Sequence, residues 1–198
     1  MQLGLIGLGR MGAFMAQRLL RKEQDVVVFN RTVARATEFA ETYGGSSATT
    51  LEEFVNKLAT PRAIWMMVPA AAVDDQIEEL LPFLSEGDIL IDGGNSYYLD
   101  DLRRAASLRA RQIHYVDVGT SGGVWGLERG YCLMIGGETD IVEHLDPIFR
   151  SLAPGIEATT RTLGRENVGG TAEYGYLHCG PNARGTSSRW FTTASNMA

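Results

Sequence analysis

The sequence predicts an α/β protein built on a doubly wound, mostly parallel sheet, and three observations carry that expectation. Apolar segments of strand length alternate with amphipathic helical segments along most of the chain. A glycine-rich turn, Gly7-Leu8-Gly9-Arg10-Met11-Gly12, follows an apolar run, Leu3 to Ile6, that begins at the third residue. The chain has 198 residues, 44% of them hydrophobic, which suffices for one buried core.

Taken in order, the first strand leads into the glycine turn and then into a helix from about Met11 to Leu20, with Met11, Met15 and Leu19 at helical spacing. Asp25 to Phe29 reads as the second strand. Thr32 to Tyr43 reads as a helix stopped by Gly44-Gly45, and Thr50-Leu-Glu-Glu53 is a capping box that opens another. Arg62 to Val68 is a buried strand ending at Pro69-Ala70, before a helix from Val73 to Leu81. Asp88 to Asp92 is a strand followed by Gly93-Gly94-Asn95-Ser96 and a charged helix to about Arg111. His114 to Val118 leads into Gly119-Thr-Ser-Gly-Gly123, and Leu133 to Ile135 with a helix from Asp140 to Leu152 completes the sheet region.

Composition narrows the partners. A net charge of −6 argues against nucleic acid or an anionic membrane as a partner. No apolar run is long enough to span a bilayer, and the Met-Gln-Leu start reads as strand rather than leader, which predicts a cytoplasmic protein. Cys132 and Cys179 lack metal-ligand spacing and read as free thiols, so no metal site is predicted. His114, His144 and His178 read as structural.

Strand, glycine turn, helix and second strand within about 30 residues form the dinucleotide-binding unit of a Rossmann-type sheet. The glycines let the chain reverse tightly and let a pyrophosphate approach the backbone, and the helix points its free N–H groups and positive dipole end at that pyrophosphate. Gly7, Leu8, Gly9, Arg10, Met11 and Gly12 are therefore candidate cofactor-binding residues. The end of the second strand should read the adenosine ribose, and there the sequence has Asn30-Arg31-Thr32 rather than an acid. Asn beside Arg can donate to a 2′-phosphate, which favours NADP, with NAD as the alternative.

Five segments in order, Gly7-Leu-Gly-Arg-Met-Gly12, Gly93-Gly-Asn-Ser96, Asp117-Val-Gly-Thr-Ser-Gly-Gly123, Met134-Ile-Gly-Gly137 and Tyr176-Leu-His-Cys-Gly-Pro181, resemble the decarboxylating 6-phosphogluconate dehydrogenases. The wider β-hydroxyacid dehydrogenase group shares the first and a version of the Ser-Gly-Gly loop. The resemblance implies that Asn95 sits between nicotinamide and sugar acid, and that Ser121, Gly122 and Gly123 hold the substrate, 6-phosphogluconate. It implies that Val68, Pro69 and Ala70 line the cofactor, although longer members often carry Lys where this chain has Pro69. It further implies a homodimer whose interface is formed mostly by an all-helical second domain.

The reaction that the resemblance implies is oxidation at C3 of 6-phosphogluconate, then loss of carbon dioxide to give ribulose 5-phosphate. The family's proton-transfer groups are a Lys and a Glu in a segment after His-Cys-Gly-Pro that typically reads Gly-Ala-Gly-His-Phe-Val-Lys-Met-Val-His-Asn-Gly-Ile-Glu-Tyr-Gly. This chain instead reads Ala183-Arg-Gly-Thr-Ser-Ser-Arg-Trp-Phe-Thr-Thr-Ala-Ser-Asn-Met-Ala198. No catalytic residue is therefore assigned. Residues 1–176 are expected to form the dinucleotide-binding domain, and 177–198 the start of an interdomain helix followed by an aberrant tail, with the family's helical domain missing. The alternatives are a dehydrogenase for another β-hydroxyacid, or an NADP-binding module without catalysis.

One permitted set of codons for residues 183–198, read two bases later, spells Ala-Gly-His-Phe-Val-Lys-Met-Val-His-Asn-Gly-Ile-Glu-Tyr-Gly. Trp190 and Met197, with one codon each, both fit. A single lost base near Asn182 accounts for the tail. Sequencing the gene across codon 182 is expected to show a helical domain encoded in a shifted frame, and its absence from every frame overturns this account.

Overall fold

The computed structural model describes residues 1–158 and 169–188. Eight strands form one sheet in the order β3-β2-β1-β4-β5-β6-β7-β8. The strands are β1 Gln2–Ile6, β2 Asp25–Phe29, β3 Ser46–Ser47, β4 Ala63–Met66, β5 Ile89–Asp92, β6 His114–Ser121, β7 Cys132–Gly136 and β8 Tyr176–Gly180. The helices between them are α1 Arg10–Arg21, α2 Val33–Tyr43, α3 Leu51–Asn56, α4 Val73–Leu80, α5 Tyr98–Arg109, α6 Gly126–Arg129, α7 Thr139–His144 and α8 Asp146–Leu152. Every neighbouring pair is parallel except β6 with β7. The doubly wound, mostly parallel sheet is thus as the alternating pattern predicts.

Parallel strands covered on both faces bury nearly all their side chains, which is why β1, β4 and β5 read as continuous apolar runs. Alternate residues face opposite layers. Leu3, Leu5, Val26, Val28, Trp65 and Ile91 pack with Met15 and Leu19 of α1 and Phe149 and Leu152 of α8. Ile6, Val27, Ile64, Met66 and Leu90 pack with Phe54 of α3, Ile77 of α4 and Leu108 of α5. The cap at Thr50 forms as the sequence predicts, its hydroxyl accepting from the Glu53 amide at 3.1 Å.

The structure departs from the sequence reading at the far side of the sheet. The helix expected from Asp140 to Leu152 is two helices meeting at Leu145, because Pro147 has no N–H and fits only a first turn. β6 runs through Gly119 and Thr120 to Ser121, residues expected in a loop, since antiparallel pairing with β7 overrides their turn-like composition. Tyr176–Gly180 pairs with β7, so the sheet continues past the expected 176/177 division. Cys132 and Cys179 are free. Among the described residues no helix is long and apolar enough to cross a membrane.

Arg18 fastens α1 to this far side. Its guanidinium, only 7% exposed, donates to the carbonyls of Ser151, Leu152, Ala153 and Leu127 at 2.7 to 3.1 Å, satisfying the end of α8 as a cap would. Arg18→Ala strips those buried acceptors of their donor and is expected to cost about 2–4 kcal/mol, read as a lowered denaturation midpoint. A loss below about 0.5 kcal/mol, typical of surface changes, would show that water replaces the guanidinium.

Candidate functional site

The first glycine turn is set by backbone contacts. Gly7 sits at φ +97°, and a Cβ there would meet the Met67 carbonyl oxygen at 2.6 Å. At Gly12, inside α1, a Cβ would lie 2.0 Å from the Gly7 carbonyl oxygen. Both positions exclude side chains because helix, turn and β4 touch through their backbones. Gly9 differs: nothing lies within 4 Å of the place its Cβ would take, so the turn presents an open cradle before the free amides of α1. Asn30 locks the neighbouring turn, its Oδ1 accepting from the Leu8 amide at 3.0 Å and its Nδ2 donating to the Thr32 carbonyl at 3.1 Å. Arg31 and Thr32 are exposed, and Thr32 stands at the N-cap of α2 without a side-chain cap bond.

Charge follows the same geometry. Helices α3 to α8 each carry Asp or Glu in their first turn, as the helix dipole favours. α1 and α2 carry none, and Arg10 and Arg31 stand beside their N-termini instead. Neither arginine has an ion-pair partner among the described residues. Two positive helix ends held together by the Leu8–Asn30 bond therefore form an electropositive corner on a protein of net charge −6.

Strand order brings the other loops alongside. β4 lies next to β1, and Val68 comes between the glycine turns, its Cγ1 3.5 Å from a Cβ built at Gly7 and its carbonyl oxygen 3.1 Å from one built at Gly94. Pro69 is exposed, and Ala70 opens a short 3-10 helix. Beyond β5, Asp92 holds the Gly93–Ser96 turn from beneath, Oδ1 accepting from the Gly94 amide at 2.8 Å and Oδ2 from the Ser96 hydroxyl at 2.6 Å. Asn95 is left exposed at the tip, so it does not serve to satisfy the turn's own backbone.

At the end of β6, Ser121, Gly122 and Gly123 are exposed, with Gly122 at φ +147° and Gly123 at φ +52°. The buried ring of Tyr131 shapes this turn, since a Cβ at Gly126 would fall 2.0 Å from it and one at Gly122 2.9 Å. Val124 and Trp125 stand out into solvent, Trp125 under the Arg129 guanidinium at 5.3 Å. The three histidines are engaged elsewhere: His114 Nδ1 bonds Glu138, and His178 Nε2 reaches the carbonyls of Gly137 and Gly180.

Beneath these loops lies a cluster that sequence reading missed. Asp92, Asp101 and Asp117 are buried around Tyr115 and Arg104. Burial pushes the Asp101 carboxyl up to about 6 and the Asp117 carboxyl and Tyr115 phenol upward as well. Asp117 also receives the amides of Ala183 at 2.6 Å and Thr186 at 3.0 Å, seating the chain that follows β8. The available signal was a charged residue inside an apolar strand, Tyr115-Val-Asp-Val118.

An open cradle at Gly9, a tight Gly7–Gly12 contact and an electropositive corner at the carboxyl ends of parallel strands define a dinucleotide-binding α/β domain. The model of the NAD-binding domain of 6-phosphogluconate dehydrogenase matches residues 2–164, and the chain belongs to that family. It is 44% identical over 160 residues to the decarboxylating 6-phosphogluconate dehydrogenase of Chlamydia trachomatis, covering 78% of this chain and 33% of that protein. It is 41% identical over 156 residues to the NAD(+)-dependent decarboxylating enzyme of Haloferax volcanii, covering 78% of this chain and 51% of that one. Plasmodium falciparum 6-phosphogluconate dehydrogenase, solved in its apo form and in complexes with NADP+ and with 6-phosphogluconate, superposes with a TM-score of 0.79 at 27% identity, over 94% of this chain and 38% of that one. The chain thus spans between a third and about half of these relatives.

Gly9→Ala and Gly12→Ala separate fold from binding. Gly9→Ala is expected to leave the melting temperature within a few degrees but to weaken nicotinamide cofactor binding at least about tenfold by blocking close approach. Gly12→Ala should also destabilise the fold by about 1–3 kcal/mol. Cofactor titration with thermal denaturation checks both, and unchanged binding in Gly9→Ala would remove the cradle from the site.

Proposed function

We propose that this chain is the cofactor-binding part of a 6-phosphogluconate dehydrogenase that prefers NADP. The observation that supports it most is the placement of Asn95 and Ser121, exposed on neighbouring loops at the carboxyl edge that holds the first glycine turn. On this reading Gly7 to Gly12 cradle the pyrophosphate, Val68, Pro69 and Ala70 line the cofactor, and Asn95 stands between nicotinamide and substrate. Ser121 binds 6-phosphogluconate through its hydroxyl, and Gly122 and Gly123 through close backbone approach. Because the Asn30 amide is already bonded to Leu8 and Thr32, selection of the 2′-phosphate rests on Arg31, with Asn30 holding the turn that presents it.

The bound nicotinamide accepts the hydride from C3 of the sugar acid. The resulting β-keto acid loses carbon dioxide, and the enediol tautomerises to ribulose 5-phosphate. Those steps need a base at the hydroxyl and an acid at the enediol carbon, groups that typically contribute 10²- to 10⁴-fold each. The family's Lys and Glu belong to the segment that residues 183–198 replace, and most of that stretch, 189–198, lies outside the described residues. We therefore infer cofactor binding with little or no turnover by the 198-residue chain. The resemblance extends the proposal to a cytoplasmic homodimer, with residues 177–198 beginning the connection to the family's helical domain.

Calorimetric titration with NADP and NAD, run beside an assay for NADP reduction by 6-phosphogluconate, tests both parts. NADP is expected to bind more tightly, Arg31→Ala to erase about tenfold of that advantage, and reduction to stay at background. Tighter NAD binding with a ratio unchanged in Arg31→Ala overturns the cofactor assignment, and turnover near that of a full-length relative overturns the rest.

A further inference from the structure

The buried carboxylates form a continuous path. Ser96 Oγ donates to Asp92 Oδ2 at 2.6 Å; Tyr115 Oη lies 3.1 Å from that same oxygen and 2.9 Å from Asp101 Oδ1; Thr186 Oγ1 donates to Asp101 Oδ2 at 2.7 Å. It runs from the turn carrying Asn95 to the segment seated on Asp117, and the proposed chemistry uses none of its members.

The protons do not balance with every carboxyl ionised. Tyr115 Oη has one hydrogen and can serve one carboxylate at a time. Both short oxygen contacts are hydrogen bonds only when a proton on Asp101 is donated to Oη, leaving the phenol hydrogen for Asp92. Arg104 cannot replace it, because its Nε and Nη2 bond Asp74 while Nη1, 3.5 Å from both Asp92 and Asp101, makes no hydrogen bond.

We propose that Asp101 is a positioning residue that, through Tyr115 and Asp92, couples the Gly94–Ser96 turn to the seating of residues 182–188. With its proton, Asp101 lets Tyr115 brace Asp92 and hence the turn. Without it, Asp101 takes the phenol hydrogen through the shorter contact, and oxygen lone pairs of Tyr115 and Asp92 confront each other.

The groups facing Asp101 are Asp92 from β5, Asp117 and Tyr115 from β6, Arg104 from its own helix with Asp74 of α4 behind it, and the uncharged Thr186 hydroxyl. Burial is the largest cause raising this carboxyl from 3.8 to about 6, Asp92 and Asp117 add to it, and the bonds from Thr186 and Tyr115 oppose it. A raised carboxyl pKa gives stability that is full below its ordinary value and is lost as pH rises through about 6. The coupling is therefore tight in mild acid and relaxed above neutrality. The inference rests on the proposed function only in giving the turn a role at the nicotinamide.

Amide hydrogen exchange of the cofactor-free 198-residue protein between pH 5 and 8, corrected for intrinsic rates, tests it separately from cofactor binding. Residues 93–97 and 182–188 are expected to lose protection together near pH 6, by up to about 100-fold for a two-unit shift, while β1 does not change. Asp101→Asn, whose amide keeps its hydrogens, should remove the step in both segments. Tyr115→Phe should keep it in 182–188 and abolish it in 93–97. No step in the wild type, separate midpoints, or a step surviving in Asp101→Asn overturns the proposal. Should Asp101→Asn not fold, the wild-type midpoints and Tyr115→Phe decide it.

Discussion

The contact between the Gly7 carbonyl and the α carbon of Gly12 is the constraint on which the rest of the molecule depends. With no side chain between them, α1 begins directly on the turn after β1, and the Met67 backbone closes on Gly7 from β4. That proximity fixes the slant of α1 across the sheet, which in turn delivers Arg18 to the carbonyls that end α8. One backbone contact thus positions the cradle at one end of α1 and locks the antiparallel edge at the other.

Electrostatics divides the molecule into two regimes. At the surface, six helices carry acids in their first turns while α1 and α2 carry none, so the open corner beside Gly9 attracts anions although the whole chain is acidic. Inside, three carboxylates share one guanidinium that is itself drawn toward Asp74. The bonds from Arg104 and Arg103 hold Asp74 well below the ordinary carboxylate range, while burial drives Asp101 and Asp117 the other way. The asymmetry is geometric: a half-exposed acid takes the arginine's fork, and the buried ones are left with hydroxyls and amides.

What could be read from residues alone follows from how local each cause is. The glycine turn, the stop at Gly44-Gly45 and the cap at Thr50 depend on a few adjacent residues, and all were legible. The strands β1, β4 and β5 were legible because burial on both faces leaves an unbroken apolar run. β8 was not, since Tyr-Leu-His-Cys-Gly is a half-buried edge with neither an apolar run nor clean alternation. Asn30 was read as facing a phosphate because its bond to Leu8 spans 22 residues and leaves no trace in spacing. The carboxylate cluster was hidden for the same reason, its members lying on β5, α5 and β6.

The segment after β8 shows where family pattern and this chain part. Asp117 accepts the amides of Ala183 and Thr186, and this seat imposes its own demands on backbone conformation. A Cβ at Gly185 would lie 2.4 Å from the Asp117 carbonyl oxygen and 2.5 Å from that of Met134, so glycine is required there. Ala183 takes φ +70°, a left-handed conformation that costs a residue with a Cβ about 1 kcal/mol. In the family's Gly-Ala-Gly the two glycines fall at 183 and 185. The chain meets the second demand and strains against the first, so the backbone seat is the family's while the sequence entering it has already changed. A base lost next to codon 182 has this signature, because it alters position 183 and leaves the glycine at 185 intact.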